Sequence, residues 1–303
     1  MDLVIQEAGK NNLDFVIVTD HNSLKGAKVY QKMKKPERPL LIFGDEVSAP
    51  DGHLIALGIS EEPSPELDSQ ALIDWIHAQG GYAILPHPFS AKNPWKNWQV
   101  RGWDGLEIYN FGHELFSEGG GGDFLAAALF GDPISALPST QKIPQEYLSF
   151  WDNLLKNRTV TAVAGTDAHL KRRTESFVAA LQSVMLYVIA DKLEKQEIIN
   201  AIGAGKAFMA FETRGGASDF SFWAEKGGQI FSLGETIQAP GEVSFHVHLP
   251  APAKIRLIRN GSVMAEEDTQ DLSFPSTEPG AYRVEAYQGE DLWIFSNPIY
   301  LKA

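Results

Sequence analysis

The chain contains no cysteine. That excludes disulfides, thiolate-held zinc and a cysteine nucleophile, and it leaves the redox compartment open. No stretch approaches the ~18 apolar residues that span a bilayer, and the N-terminus lacks the basic, apolar, small-residue order of a signal peptide. The reading is a soluble, unexported, cytoplasmic protein with no membrane partner. Positive charge is also short: 26 Lys and Arg stand against 39 Asp and Glu, a formal net charge of −13. Such a surface repels phosphate backbones, so nucleic acid is not the expected partner.

At 303 residues the chain exceeds the size at which one core keeps growing, and two domains are expected. Up to about Phe211, helix-like and strand-like segments alternate. In SQALIDWIHAQGG, Leu72, Trp75 and Ile76 fall at helical spacing, Gly80-Gly81 ends the helix, and YAIL follows as a buried strand. The same grammar recurs in FVIV, LLIF, LIALGI, GLEIY, TVTAVAG and SVMLYVI, which predicts a parallel sheet or barrel. Beyond Gly215-Gly216 the text changes to short alternating strands, FSFWAE, EVSFHVHL, KIRLI, AYRVEAY and WIFSNPIYL, with Asn260-Gly261 as a hairpin turn. Residues 217–303 are therefore expected to form a small all-β sandwich. Between 110 and 150 lies a long irregular stretch with Gly119 to Gly122, expected to act as a mobile lid.

Histidines and acids gather at the ends of the predicted strands. Asp20 and His21 follow FVIV, Asp45 and Glu46 follow LLIFG, His53 precedes LIALGI, and His87 ends YAILPHP. Glu107 lies in GLEIYN, and Asp167 and His169 follow TVTAVAG. Most of these positions are C-terminal strand ends, where barrel enzymes build their sites. Any one of them alone reads equally as a cap or a surface group. Their recurrence at one edge points to a metal centre, and imidazoles with carboxylates suit Zn, Mn or Fe.

Taken in order, FVIVTDHN, GDEVSAPDGHLIALG, YAILPHPF, GLEIYN and VAGTDAH resemble successive motifs of the PHP superfamily, the polymerase and histidinol phosphatase metal-dependent phosphoesterases. The resemblance runs over roughly residues 1–213. The Glu-then-Gly-His arrangement, IINAIGAGKAF and WIFSNPIYL are similar to a carbaryl-hydrolase-like branch with a C-terminal β-domain. It implies a distorted seven-stranded, TIM-like β/α barrel over 1–213, a β-domain over 217–303, and one to three divalent metals. It also implies hydrolysis of a small-molecule phosphate ester by a metal-activated hydroxide, with Asp20, Glu46 and Asp167 in catalytic roles. By the same carry-over Glu46 bridges two metals, His53 and His87 complete the second, Asp167 ligates the first, and His21 and His169 share a third. Asp20 is placed to orient imidazoles, and Asn22, Lys25, Glu107 and Asn110 to meet substrate or support ligands.

The pattern departs from that family at its start. PHP proteins open on a His-x-His strand, whereas here the helix-like VIQEAGKNNLDF comes first, so the barrel is expected to lack its first strand. An exposed edge there predicts a homodimer or low stability. His246-Val247-His248 mimics the absent motif, but Val243, Phe245, Val247 and Leu249 alternate with polar residues, the pattern of a strand with one wet face. GHELF at 112–116 lacks the second histidine of a zincin, and GAGKA at 203–207 lacks a phosphate loop's spacing. Trp95, Trp98 and Trp103 either wall a pocket or pack. The alternatives kept beside the phosphoesterase are a carbamate or carboxylic ester hydrolase and a catalytically impaired, metal-binding homologue with a regulatory role.

Overall fold

A computed structural model of the chain describes residues 1–33, 36–114, 134–139, 141–169 and 174–303. The Gly119–Gly122 segment lies outside the described residues. Packing divides the chain into two compact units, Met1–Glu107 with Ala190–Gly203, and Ile108–Ile189 with Ala204–Ala303. The division falls elsewhere than the 213–217 boundary read from composition.

The first unit is built on β1 (Phe15–His21), β2 (Leu40–Ala49), β3 (Gly52–Leu57), β4 (Tyr82–Leu85) and the start of β5 (Gly105–Asn110), which follow one another across a sheet. β1 and β2 run parallel, with Val18 opposite Phe43 and His21 opposite Glu46. The expected parallel order breaks at β3. β2 and β3 pair antiparallel, with Ser48 opposite His53, and β3 and β4 are antiparallel too. Only Pro50 and Asp51 separate β2 from β3. A parallel crossover needs a dozen residues or more, so so short a link dictates a hairpin. β4 and β5 return to parallel pairing, Leu85 opposite Leu106. One face of β1–β2 buries Tyr30, Leu41 and Phe43 against Val4, Ile5, Val16 and Val18. The helix Ser69–Ala78 buries Leu72, Ile73 and Ile76, and its N-terminus is capped by the Asp68 side chain, which accepts from Ala71 N at 2.8 Å.

The second unit carries β6 (Thr161–Gly165), β7 (Met185–Val188), β8 (Ala207–Ala210), β9 (Ser221–Lys226), β10 (Gln229–Phe231), β11 (Thr236–Gln238), β12 (Val243–Arg259), β13 (Ser262–Ser276), β14 (Gly280–Gln288), β15 (Asp291–Ser296) and β16 (Ile299–Lys302). Its sheet runs β10-β9-β12-β14-β15-β8-β7, with β13 on β12 and β16 joining β14 to β11. β7 and β8, read from sequence as part of the first domain, are thus antiparallel members of the C-terminal sheet. Asn260 and Gly261 sit at φ 50° and 85° between Arg259 and Ser262, the two-residue hairpin expected.

Two differences from the expectation are physical. EVSFHVHL and KIRLI form one continuous strand, because Pro250 and Pro252 fall where the β12–β13 register shifts between His248 and Ala253, a place that needs no donor. β13 went unread, since about half of its residues are exposed and its centre, Glu266 to Asp271, is polar and largely acidic, and its ladder with β12 makes it a strand. Among the described residues no helix is long and apolar enough to cross a membrane. The chain is a mixed α/β protein.

Candidate metal centre

The β1–β2 register sets His21 beside Glu46, and the β2–β3 hairpin sets His53 diagonally across from it. His87 stands two residues past the end of β4 at a positive φ of 28°. Around Glu46 Oε1 the imidazoles converge: His53 Nδ1 at 2.7 Å, His87 Nε2 at 3.2 Å and His21 Nδ1 at 3.9 Å. His53 Nδ1 and His87 Nε2 are 3.4 Å apart. His21, Glu46 and His53 offer ligand atoms all within 4.8 Å of one another. Glu46 and His87 are buried, His53 nearly so, and His21 opens to solvent.

Burial raises the Glu46 carboxyl, but hydrogen bonds from His53 and His87 and the positive field of His21 and His87 outweigh it and hold it at about 2. The group is an anion across the whole physiological range. Imidazoles facing a buried carboxylate, with one side open, form a donor set that fits a divalent cation.

The turn after His21 is held by Asn22, expected to meet substrate or support ligands, together with Ser48, Asp45 and Glu62, of which Ser48 and Glu62 were not singled out by the motifs. Asn22, at φ 51°, donates from Nδ2 to Ser48 Oγ at 3.0 Å and accepts at Oδ1 from Ser48 N at 2.9 Å. Its backbone N donates to Glu46 O at 3.2 Å. Ser23 N donates to Asp45 Oδ1 at 3.1 Å, and Leu24 N to Glu62 Oε1 at 2.8 Å. Asn22 is therefore engaged with Ser48 and fixes the turn that carries His21. The detectable signal was its type: Asn tolerates the left-handed region and bonds its neighbours. Asp45 is fully buried on the helix-covered face, its Oδ2 without a hydrogen-bond partner among the described residues, and burial raises its carboxyl.

The other predicted residues fall as follows. Glu107 is buried and its Oε2 accepts from His87 N at 2.8 Å, so it positions the backbone of a histidine in the cluster. Asp20 and Lys25 are exposed. In the second unit, Asn110 Oδ1 accepts from His113 N at 2.7 Å and caps a short helical turn. Asp167, at φ 47°, and His169 meet there, Nδ1 lying 3.2 Å from the Asp167 carboxylate, while Gly112 leaves room for the Asp167 side chain. His246 and His248 lie on the wet face of β12, as read: His246 stacks on Trp223 and bonds Ser273, and His248 pairs with Asp271.

No protein-family model matches the chain. Over 112 residues it is 30% identical to an uncharacterized protein of Methanocaldococcus jannaschii, a match covering 36% of this chain and 66% of that protein, just under two thirds of its length. It is also similar to the crystal structure of a two-domain protein from Bacteroides vulgatus containing a predicted PHP-like metal-dependent phosphoesterase. There the identity is 15%, the TM-score 0.46, and the coverage 98% of this chain and 89% of that one. At that level the likeness carries no weight for fold or activity, which rest on the residues themselves.

Proposed function

We propose that the chain is a metal-dependent hydrolase of the PHP type, acting on phosphate esters of small molecules. The observation that carries the reading is the convergence of His21, His53 and His87 on one buried carboxylate oxygen of Glu46. In this reading those side chains hold a Zn, Mn or Fe ion, residues 1–213 follow the plan of a TIM-like barrel, and Asp167 and His169 contribute to further metal binding. The β-domain of 217–303, and a homodimer that covers the β1 edge, belong to the same proposal.

Bound there, the metal would act as a Lewis acid, favouring ionisation of water and stabilising charge on the phosphoryl oxygens. In the net reaction the oxygen of water bonds to phosphorus, the ester P–O bond breaks, and the alcohol departs with a proton. Glu46 supplies fixed negative charge and the imidazoles orient around it. Glu107 and the Asn22–Ser48 pair hold that arrangement rigid.

The test is elemental analysis with a panel of phosphate, carbamate and carboxylic esters, each assayed with Mn²⁺ and Zn²⁺. Phosphate esters are expected to turn over. His87→Ala is expected to lose most bound metal and His246→Ala none. Equal metal loss from both variants would overturn the site. Metal retention without turnover of any phosphate ester would overturn the activity and favour the regulatory homologue, while turnover confined to carbamates or carboxylic esters would move the substrate class.

A further inference from the structure

Charge is sorted along the first unit. Residues 25–38 carry six Lys and Arg against the single acid Glu37, while residues 39–91 carry eight Asp and Glu and no Lys or Arg. The basic run folds around the helix Lys25–Tyr30, and three hydrogen bonds continue its winding. They run from Gln31 N to Ala27 O at 3.0 Å, and from Lys32 N to Val29 O and Met33 N to Tyr30 O at 3.1 Å. Tyr30, Ala27 and Met33 pack inward with Leu41 and Phe43. Lys25, Lys28, Val29 and Lys32 stand at i, i+3, i+4 and i+7, and so share the outward face in a row about 10 Å long. All four are exposed, Val29 by 54%.

The acidic run surfaces beside this row. Glu62 Oε1 accepts from the backbone N of Leu24, the residue just before the helix, at 2.8 Å. Glu61, Glu62, Glu66 and Asp68 are all exposed along residues 60–68. Asp68 is occupied as the cap of the helix Ser69–Ala78, and Glu62 by the Leu24 amide. At the start of the basic row Asp20 Oδ2 lies 3.2 Å from where a Cβ on Gly26 would stand, so negative charge already sits beside the first turn. Lys25, Lys28, Lys32, Glu61 and Glu66 form no ion pair among the described residues. Two surfaces of opposite sign thus adjoin on one unit without neutralising each other.

We propose that this pair of surfaces is an interface between two copies of the chain related by a two-fold axis. In such a contact each copy presents the same region, so a basic row beside an acidic segment meets an acidic segment beside a basic row, and every cross-pair occurs twice. A second copy is favoured over an unrelated polyanion because both halves of the contact stand side by side in one unit. Exposed ion pairs are individually weak, and Val29 adds an apolar contact between the lysines, so the dimer is weak and sensitive to salt. The net charge of −13 opposes it little, because charges more than about 10 Å away are largely screened at an ionic strength of about 0.1 M. The interface is separate from pairing along the β1 edge, which uses backbone rather than charge. It rests on neither the metal nor the hydrolase reading.

The test is sedimentation equilibrium of the full chain over a series of concentrations and salt. Dimerisation is expected, weakening about tenfold between about 0.05 and about 0.5 M NaCl as the exposed pairs are screened. Lys28→Glu with Lys32→Glu is expected to be monomeric, and Glu61→Lys with Glu66→Lys likewise. An equimolar mixture of these two variants is expected to form heterodimers, and the quadruple variant carrying all four reversals to regain dimers on its own. That recovery separates a charge-paired interface from simple loss of folding. A wild-type chain that stays monomeric at every concentration overturns the proposal. So does a dimer indifferent to salt and to both reversals, which is the behaviour of pairing along the β1 edge. A monomer that a heparin column retains through Lys28 and Lys32 also overturns it and assigns the row to an outside polyanion.

Discussion

Asn22→Ala is the sharpest probe of how the cluster is held. The substitution removes two hydrogen bonds to Ser48, both at the surface, worth about 0.5 kcal/mol each at the low end of the usual range. It also forces a residue with a Cβ and no side-chain partner to keep φ 51°, which costs about 1 kcal/mol more. The sum is about 2 kcal/mol, or about thirtyfold in the equilibrium between the held and released turn. Because His21 is the residue just before, that equilibrium is read out as metal affinity. Titration of the metal-free protein with Zn²⁺ against a competing chelator is expected to show affinity falling by up to about thirtyfold in Asn22→Ala. Asn22→Gly, which restores the left-handed backbone without the hydrogen bonds, should recover part of the loss. Unchanged zinc affinity in Asn22→Ala, with a lowered melting temperature, would show that the turn is structural only and that His21 does not hold metal.

Gly52→Ala brings a Cβ to 3.1 Å from the Pro94 carbonyl oxygen and adopts a forbidden φ, so a loss of about 1–3 kcal/mol in urea unfolding is expected, whereas Gly216→Ala, with nothing near it, should change stability by less than about 0.5 kcal/mol; similar values for both would refute the tight approach. Arg283 is buried, forks onto Asp152 at 2.9 Å through both nitrogens and reaches Glu285 at 2.5 Å, so Arg283→Met should cost about 3–5 kcal/mol by stranding two carboxylates, against under about 1 kcal/mol for the surface pair broken by Arg256→Ala; chemical denaturation of both variants decides it. Glu46 has its folded pKa lowered from 4.5 to about 2, so its contribution is fully present above pH 4.5 and disappears as pH falls through 2. Metal-free protein should accordingly lose stability across that window more steeply than Glu46→Gln, and parallel acid-unfolding curves would contradict it.

The apolar runs that became β1, β2, β4 and β5 were plain in the text, because buried strands leave little choice of residue. Glu46, His53 and His87 drew notice by type and strand-end position, their grouping came only from the PHP resemblance, and in the structure their side chains meet. The resemblance put His21 at a third metal shared with His169, and in the structure its Nδ1 lies 3.9 Å from Glu46 Oε1. Its grouping depends on the β1–β2 register, a long-range property that no local pattern encodes. The antiparallel turn at Pro50-Asp51 was readable from its length alone, and the parallel expectation overrode it. β13 was not readable by hydrophobic alternation, since a strand wet on much of its surface can carry a polar, acidic centre when its partner supplies the ladder. Asp45 and Glu62 act on backbone amides of a distant turn, and a side chain that serves another segment's amides leaves no periodic trace.

The adjacency of Asp45 and Glu46 gives the strand pairing a meaning beyond stability. Successive side chains on β2 face opposite ways, so Asp45 lies under the helices, holding Ser23 N, while Glu46 meets the imidazoles. Sliding β2 by a single residue would exchange them, sending the shorter carboxylate to the histidines and the longer one beneath the helices. Asn22 N to Glu46 O and the Asn22–Ser48 pair stand just past the last paired residues, where such a slip would have to begin. The same hydrogen bonds that hold a histidine thus also count the residues of the strand, and a one-residue insertion in LLIFGDEVSA would turn the site inside out while leaving its composition intact.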